Sequence, residues 1–203
     1  MMLVEQSAVL DAALPLQEFK DHLRLGTGFA DDGAQDALLL RLLRSAMVVI
    51  EARIGKVLIS KQFLYTLTDW RDLGEQALPV APVQSVGSIN LFDRLGVATL
   101  VDPTRYVLAR DMHRPKILAS GILLPTVPAD GTVEIVFQAG FGAAWSDVPG
   151  DLRQAVLLLG AQYHDNRVEA QAGSMPFGVM ALIERWRNVR VLPPPRPTSA
   201  PCA

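Results

Sequence analysis

The spacing of apolar residues changes twice along this chain, and the order of those changes limits the folds open to it. Up to about residue 56 the apolar residues recur at helical spacing; from Ser60 to Gln138 they alternate; from Pro149 onward the helical spacing returns. Strands and helices are thus segregated rather than interleaved, which argues for an α+β fold and against a doubly wound parallel sheet. The expected architecture is a helical bundle with a small, mainly antiparallel sheet inserted between N-terminal and C-terminal helices, followed by an extended C-terminal tail. With half of its 203 residues apolar, the chain has enough material for a substantial core. Residues 1–192 are read as a single domain and residues 193–203 as a tail.

Four helices are expected, at about 15–25, 33–56, 149–167 and 177–190. In the first, Leu16, Phe19 and Leu23 share a face. Asp31 and Asp32 precede the second, with Gln35 three residues after Asp32 in capping-box spacing. This second helix is apolar on more than one side: Leu38, Leu39, Leu42, Leu43, Met47, Val49, Ile50 and Ile54 exceed a single stripe, and Arg41, Arg44 and Glu51 mark its wet strip. A helix apolar nearly all round is buried in a core or between subunits. Leu39, Leu43, Met47 and Ile50 are accordingly expected at a contact between copies.

The third helix opens on Pro149, whose missing N–H costs nothing there, and Asp151 suits the positive end of the helix dipole. Leu152, Val156, Leu159 and Tyr163 form its apolar stripe. The fourth carries Val179, Leu182, Ile183 and Trp186, with Arg185, Arg187 and Arg190 at its C-terminal end. The tail that follows, Pro193 to Ala203, reads PPPRPTSAPCA, is unable to form a helix, and is expected to be extended.

Between the helices, Phe63, Tyr65 and Leu67 lie on one face of a strand. Ser88 to Phe92 and Val97 to Val101 flank Asp93-Arg94-Leu95-Gly96 as a hairpin. Arg105 to Ala109, Lys116 to Ala119 and Thr132 to Gln138 complete the strands, all lying between about residues 60 and 138.

Candidate chemistry is sparse. Gly140-Phe141-Gly142 follows a strand and precedes a helix but lacks the third glycine and the lysine of a phosphate loop, so it reads as a tight turn. His22, His113 and His164 show no metal-ligand spacing. Asp31 and Asp32 are explained by helix capping. Ser146, Ser174 and Cys202 have no glycine elbow or recognisable base beside them. No catalytic residue, metal site or cofactor is expected. The formal charge of −2 argues against a general nucleic-acid binder, and no apolar run approaches the roughly 20 residues that span a bilayer. Two alternatives stay open: a small enzyme using Asp111, His113 and Arg114 in the sheet loops, and a DNA-binding module using Arg185, Arg187 and Arg190. Aromatic and arginine residues together, as around Trp186, are enriched at protein interfaces.

Several ordered features resemble a known family. They are Leu16 with Phe19-Lys20-Asp21-His22-Leu23-Arg24; Asp31-Asp32 before the long helix; Leu78-Pro79 with Pro82-Val83-Gln84-Ser85-Val86; Ala139-Gly140-Phe141-Gly142; Val148-Pro149; Tyr163 with Asn166-Arg167; and Pro176-Phe177-Gly178-Val179 leading to Trp186-Arg187. In this order and spacing the chain resembles the head-tail connector, or adaptor, proteins of long-tailed bacteriophages and of the related gene transfer agents. The resemblance implies a structural protein of the particle that assembles as a ring, typically of twelve copies, beneath the portal protein of a filled head. Such a ring continues the DNA channel without sequence-specific DNA binding and presents a surface to the next tail, or stopper, component. It also implies a particle at the head-tail junction, assembled in the bacterial cytoplasm, and no membrane partner. Carried over to this sequence, the portal contact falls on Arg185, Trp186, Arg187, Arg190, Pro193, Pro194, Pro195, Arg196 and Pro197.

Overall fold

A computed structural model describes residues 1–25, 33, 35–165 and 175–187. The fold is α+β, with antiparallel sheets and four helices among these residues. The strands are β1 (Met2–Glu5), β2 (Lys61–Leu67), β3 (Glu75–Ala77), β4 (Val83–Phe92), β5 (Ala98–Leu100), β6 (Tyr106–Ala109), β7 (Lys116–Ala119) and β8 (Thr132–Ala139). The helices are α1 (Leu16–His22), α2 (Asp36–Ile54), α3 (Gly150–Asp165) and α4 (Phe177–Ile183), the last running into a 3-10 turn over Glu184–Trp186.

Five strands pair in the order β1-β2-β8-β4-β5, and three more in the order β3-β7-β6. The alternation read from the sequence is what seats β2: Phe63, Tyr65 and Leu67 are buried while Gln62 is exposed. Central β8 does the same with Val133, Ile135 and Phe137, and Phe63 stacks on Phe137 across the register with ring centroids 5.6 Å apart. The expected hairpin forms between β4 and β5, closed by the Asp93 carboxylate accepting the N–H groups of Leu95 and Val97. Opposite β8, β4 shifts register at Val83/Ser85 and at Val86/Ser88.

The sheet portion is larger than an insertion between helices. β1 lies before the first helix yet pairs with β2, and Lys61 of β2 ties the two ends of that arrangement together: its ammonium lies 3.2 Å from Glu5 of β1 and 3.1 Å from Glu51 of α2. Glu51, expected on the wet strip of α2, therefore faces inward. It also accepts the Leu58 N–H at 2.8 Å. Burial outweighs both attractions and pushes its carboxyl above the ordinary carboxylate range.

Two apolar clusters result. One gathers both sheets, from Val57 and Phe63 through Ile117 to Ala139. The other gathers the helices around Phe19, Leu39, Leu43, Ile50, Leu152, Val156, Leu159, Val179 and Ile183. In the second, α1 is seated by the Phe19 ring lying over Gly160 of α3, where an added Cβ would stand 3.0 Å from the ring.

The surplus apolar surface of α2 is consumed inside the protomer. Leu39, Leu43 and Ile50 are fully buried and Met47 is 4 % exposed, so the four side chains expected between copies are core residues. The physical reason is that α2 packs against both α1 and α3 in one helical core, which takes up more than a single stripe. What α2 leaves to solvent is Ala37, Arg41, Ser45, Val48, Val49, Ala52 and Arg53. The candidate caps Asp31 and Asp32 lie outside the described residues; Lys20 reaches Asp36 of the first turn at 2.7 Å. No helix of the described residues is long and apolar enough to cross a membrane.

Candidate functional site

The candidate site lies where α4 returns to the start of α3. Pro149 and Gly150 open α3 and place Asp151 in its first turn, where the unpaired backbone N–H groups favour a carboxylate. Asp151 Oδ2 accepts a hydrogen bond from the Trp186 indole Nε1 at 2.7 Å and lies 2.8 Å from Arg185 Nε. Trp186 is half-buried and packs edge-on against Phe141 with ring centroids 5.4 Å apart, while the Arg185 guanidinium carbon sits 4.8 Å from the centre of the indole. Beneath them, Val179 and Ile183 fix α4 in the helical core.

Phe141 can occupy that position because of its neighbours. Gly140 has φ +142°, and a Cβ there would stand 2.4 Å from the Ser60 Cα. The backbone of this loop is also bound on both sides: Phe141 N–H donates to the Leu58 carbonyl at 3.1 Å, and Ser60 N–H to the Gly142 carbonyl at 2.8 Å. Gly140-Phe141-Gly142 is thus a tight turn, as its incomplete motif suggests, and it sets the Phe141 ring against Trp186.

Three of the nine residues expected at a portal contact are described. Arg185 and Trp186 meet at Asp151; Arg187 is engaged by the Glu184 carboxylate, with Nη1 at 3.1 and 3.0 Å from its two oxygens. Arg190, Pro193, Pro194, Pro195, Arg196 and Pro197 lie outside the described residues, as do Ser174 and Cys202. The role of Asp151 as common acceptor was not readable from the sequence. Its partners are 34 and 35 residues away in the chain, and a carboxylate at a helix start is already explained by the dipole.

The alternative constellation at Asp111, His113 and Arg114 is a structural turn. The Asp111 carboxylate accepts the Arg114 N–H at 2.6 Å and the His113 N–H at 2.7 Å, and these bonds hold its pKa below the usual carboxylate range. Lys56, buried at the end of α2, donates to the Met112 carbonyl and lies 3.2 Å from His113 Nδ1. Burial pulls its pKa down. These contacts tie the β6–β7 turn to the chain just after α2.

Two clefts are present elsewhere. One of about 370 Å³ runs between α3 and α4, lined by Leu158, Ala161, Gln162, Asp165, Pro176 and Val179; the other, of about 340 Å³, lies over β2, β4 and β8 around Ser60, Lys61 and Gln138. Neither is lined by Asp111, His113 or Arg114. His164 sits 3.3 Å from Asp165, and no group of three potential metal ligands occurs among the described residues.

Comparison with known proteins gives consistent matches among solved structures. The chain is similar to a chain in the neck of an empty gene transfer agent particle, computed with C6 symmetry, at 57 % identity and a TM-score of 0.88, covering 95 % of this chain and 98 % of that one. A chain of the virion of a native gene transfer agent particle matches at 57 % identity and a TM-score of 0.86 over the same shares. A third, from the neck of a native particle computed with C12 symmetry, matches at 52 % identity and a TM-score of 0.83, again over 95 % and 98 %. No family model matches, and no curated protein does.

Proposed function

The chain belongs to the head-tail connector family found in the necks of gene transfer agent particles, and from that premise we propose that it forms a ring of twelve copies beneath the portal protein. It is a structural adaptor of the particle, and the observation that carries this is the full-length match to neck chains at 52–57 % identity. The symmetries of those neck structures support the ring, since a twelvefold arrangement also contains the sixfold one. A cyclic ring needs two different surfaces on each protomer. On α2 the large apolar side chains left for a neighbour are Val48 and Val49, exposed at 59 % and 39 %.

The portal contact is assigned to the end of α4 and the chain beyond it, comprising Arg185, Trp186, Arg187, Arg190 and the proline-rich tail from Pro193 to Pro197. The ring continues the DNA channel and meets the next tail component on its far side, after assembly in the bacterial cytoplasm. It carries out no chemistry. The contacts of Asp111 and the arginine pairings at Asp151 and Glu184 give no support to the enzyme and DNA-binding alternatives. Particles produced without this chain are expected to contain packaged DNA and to lack tails in electron micrographs; tailed particles in normal yield would overturn the proposal.

A further inference from the structure

We infer that the outer face of the five-stranded sheet is the second half of the ring contact: it receives the exposed side of α2, from Ser45 to Arg53, of the neighbouring copy. The inference rests on the ring reading given above and names the surface that α2 meets.

The register of the sheet sorts its side chains onto two faces. Tyr65, Ile135 and Ile89 stand opposite one another and turn inward, into the apolar cluster shared with the second sheet. The opposite face carries Val4, Leu64 and Val136 as a row across three neighbouring strands, leading to Ser88 of β4. Val4 is 40 % exposed, and Leu64 and Val136 are partly exposed. A sheet face left to solvent is ordinarily polar, whereas this one has an apolar middle. Next to the row stands Glu134, on the same face. On its β4 side the register shift at Val86/Ser88 leaves Gly87 beside Val136, and the hollow of about 340 Å³ opens there.

The exposed side of α2 matches this face in shape and charge. It is a ridge of Ser45, Val48, Val49 and Ala52, flanked by Arg41 and Arg53 and free of acidic residues. The Val4–Leu64–Val136 row spans two strand spacings, roughly 10 Å, which is the width of one helix with its side chains. Among the described residues neither Arg53 nor Glu134 is in an ion pair within the protomer. An apolar ridge with arginines thus answers an apolar row with a carboxylate, and opposite charges across a contact fix its register.

Copies in a cyclic ring meet head to tail, so the two surfaces must also face different ways. Lys61 points to the same side of β2 as Phe63 and Tyr65, and its ammonium meets Glu51, so α2 lies on the inner side of the sheet. Val49, Ala52 and Arg53 lie about 100° or more round that helix from Glu51. The sheet's outer face and the exposed side of α2 are therefore turned apart within one protomer. Around a closed ring each is used once, against the next copy.

The test is charge reversal in assembled particles. Arg53→Glu and Glu134→Arg are made singly and together, the melting temperature of each purified chain is compared with the parent's, and the amount of chain in purified particles is measured. Each single reversal should lower incorporation about tenfold or more, because it sets like charges against each other. The double reversal should restore incorporation to within about twofold of the parent, because the pair is again opposite in sign. Val4→Glu, at an exposed position of an edge strand, is a second probe of the sheet face and should lower incorporation without lowering the melting temperature. Parent-level incorporation of any of these single variants would overturn the inference, as would a double reversal no better than the worse single one. A ring that forms normally with Glu134→Arg but lacks tails would give the sheet face to the next tail component and likewise overturn it. Particles in which the parent chain forms no ring would overturn the ring reading itself, and this inference with it.

Discussion

At the scale of single residues, the positions that matter most are those where backbone or charge is confined. Gly140→Ala should cost about 3 kcal/mol or more, because the new Cβ would meet the backbone of Ser60 and the residue would keep an unfavourable φ. Denaturant unfolding measures this, and a loss below 1 kcal/mol would show that the loop can move. Glu51 makes a second prediction. Its folded-state pKa is raised, so the folded state holds this proton more tightly than the unfolded chain does. Its contribution to stability is full below the unfolded value of about 4.5 and is lost as pH rises through the raised value. Stability of Glu51→Gln relative to the parent should therefore improve with rising pH above about 4.5. Urea midpoints across that window would show it, and a constant difference would contradict it.

At the scale of elements, α2 separates what periodicity reveals from what it hides. Its existence and its excess of apolar residues were legible, because twenty-odd residues of pattern are hard to mistake. Which of those residues face outward was not. That depends on packing against α1 and α3, and neither contact leaves a trace in α2 itself. Leu43→Ala should accordingly cost about 2–5 kcal/mol in the isolated protomer, whereas Val48→Ala should change its stability by less than about 0.5 kcal/mol. Thermal melting distinguishes these; a small effect at Leu43 would return it to the surface. The strands follow the same rule. β2 and β8 alternate over seven and eight residues and were readable; β1 and β3, with four and three, were not read and exist because of their pairing, although β6 and β7, with four residues each, were read. The site was legible in part for a similar reason: an indole among arginines draws notice, while the carboxylate that organises it is distant in sequence.

At the scale of the whole molecule, a protomer whose long helix is internally satisfied must build a ring largely from surfaces other than that helix, and apolar side chains such as Leu73, Leu95, Ile122 and Phe177 are exposed elsewhere among the described residues. Val48→Glu is expected to leave the protomer folded, as judged by its melting temperature, and to reduce its incorporation into particle necks. Incorporation at the parent level would move the ring contact off α2. Since each large apolar side chain contributes roughly 1.5–3 kcal/mol when buried, two exposed valines cannot hold a ring alone. Repetition around a closed circle makes weak individual contacts sufficient.

The order of the five-stranded sheet also bears on how the chain is made. β8 lies between β2 and β4, which do not pair with each other, so the ribosome delivers the two flanking strands before the one that joins them. About 70 residues separate β2 from the end of β8, which at about 5–20 residues per second is a wait of about 4 to 14 s. During that interval β1 and β2 are at most a bare hairpin-like pair, and two strands alone are marginal in water. The five-stranded sheet is therefore complete only once Thr132–Ala139 has been made.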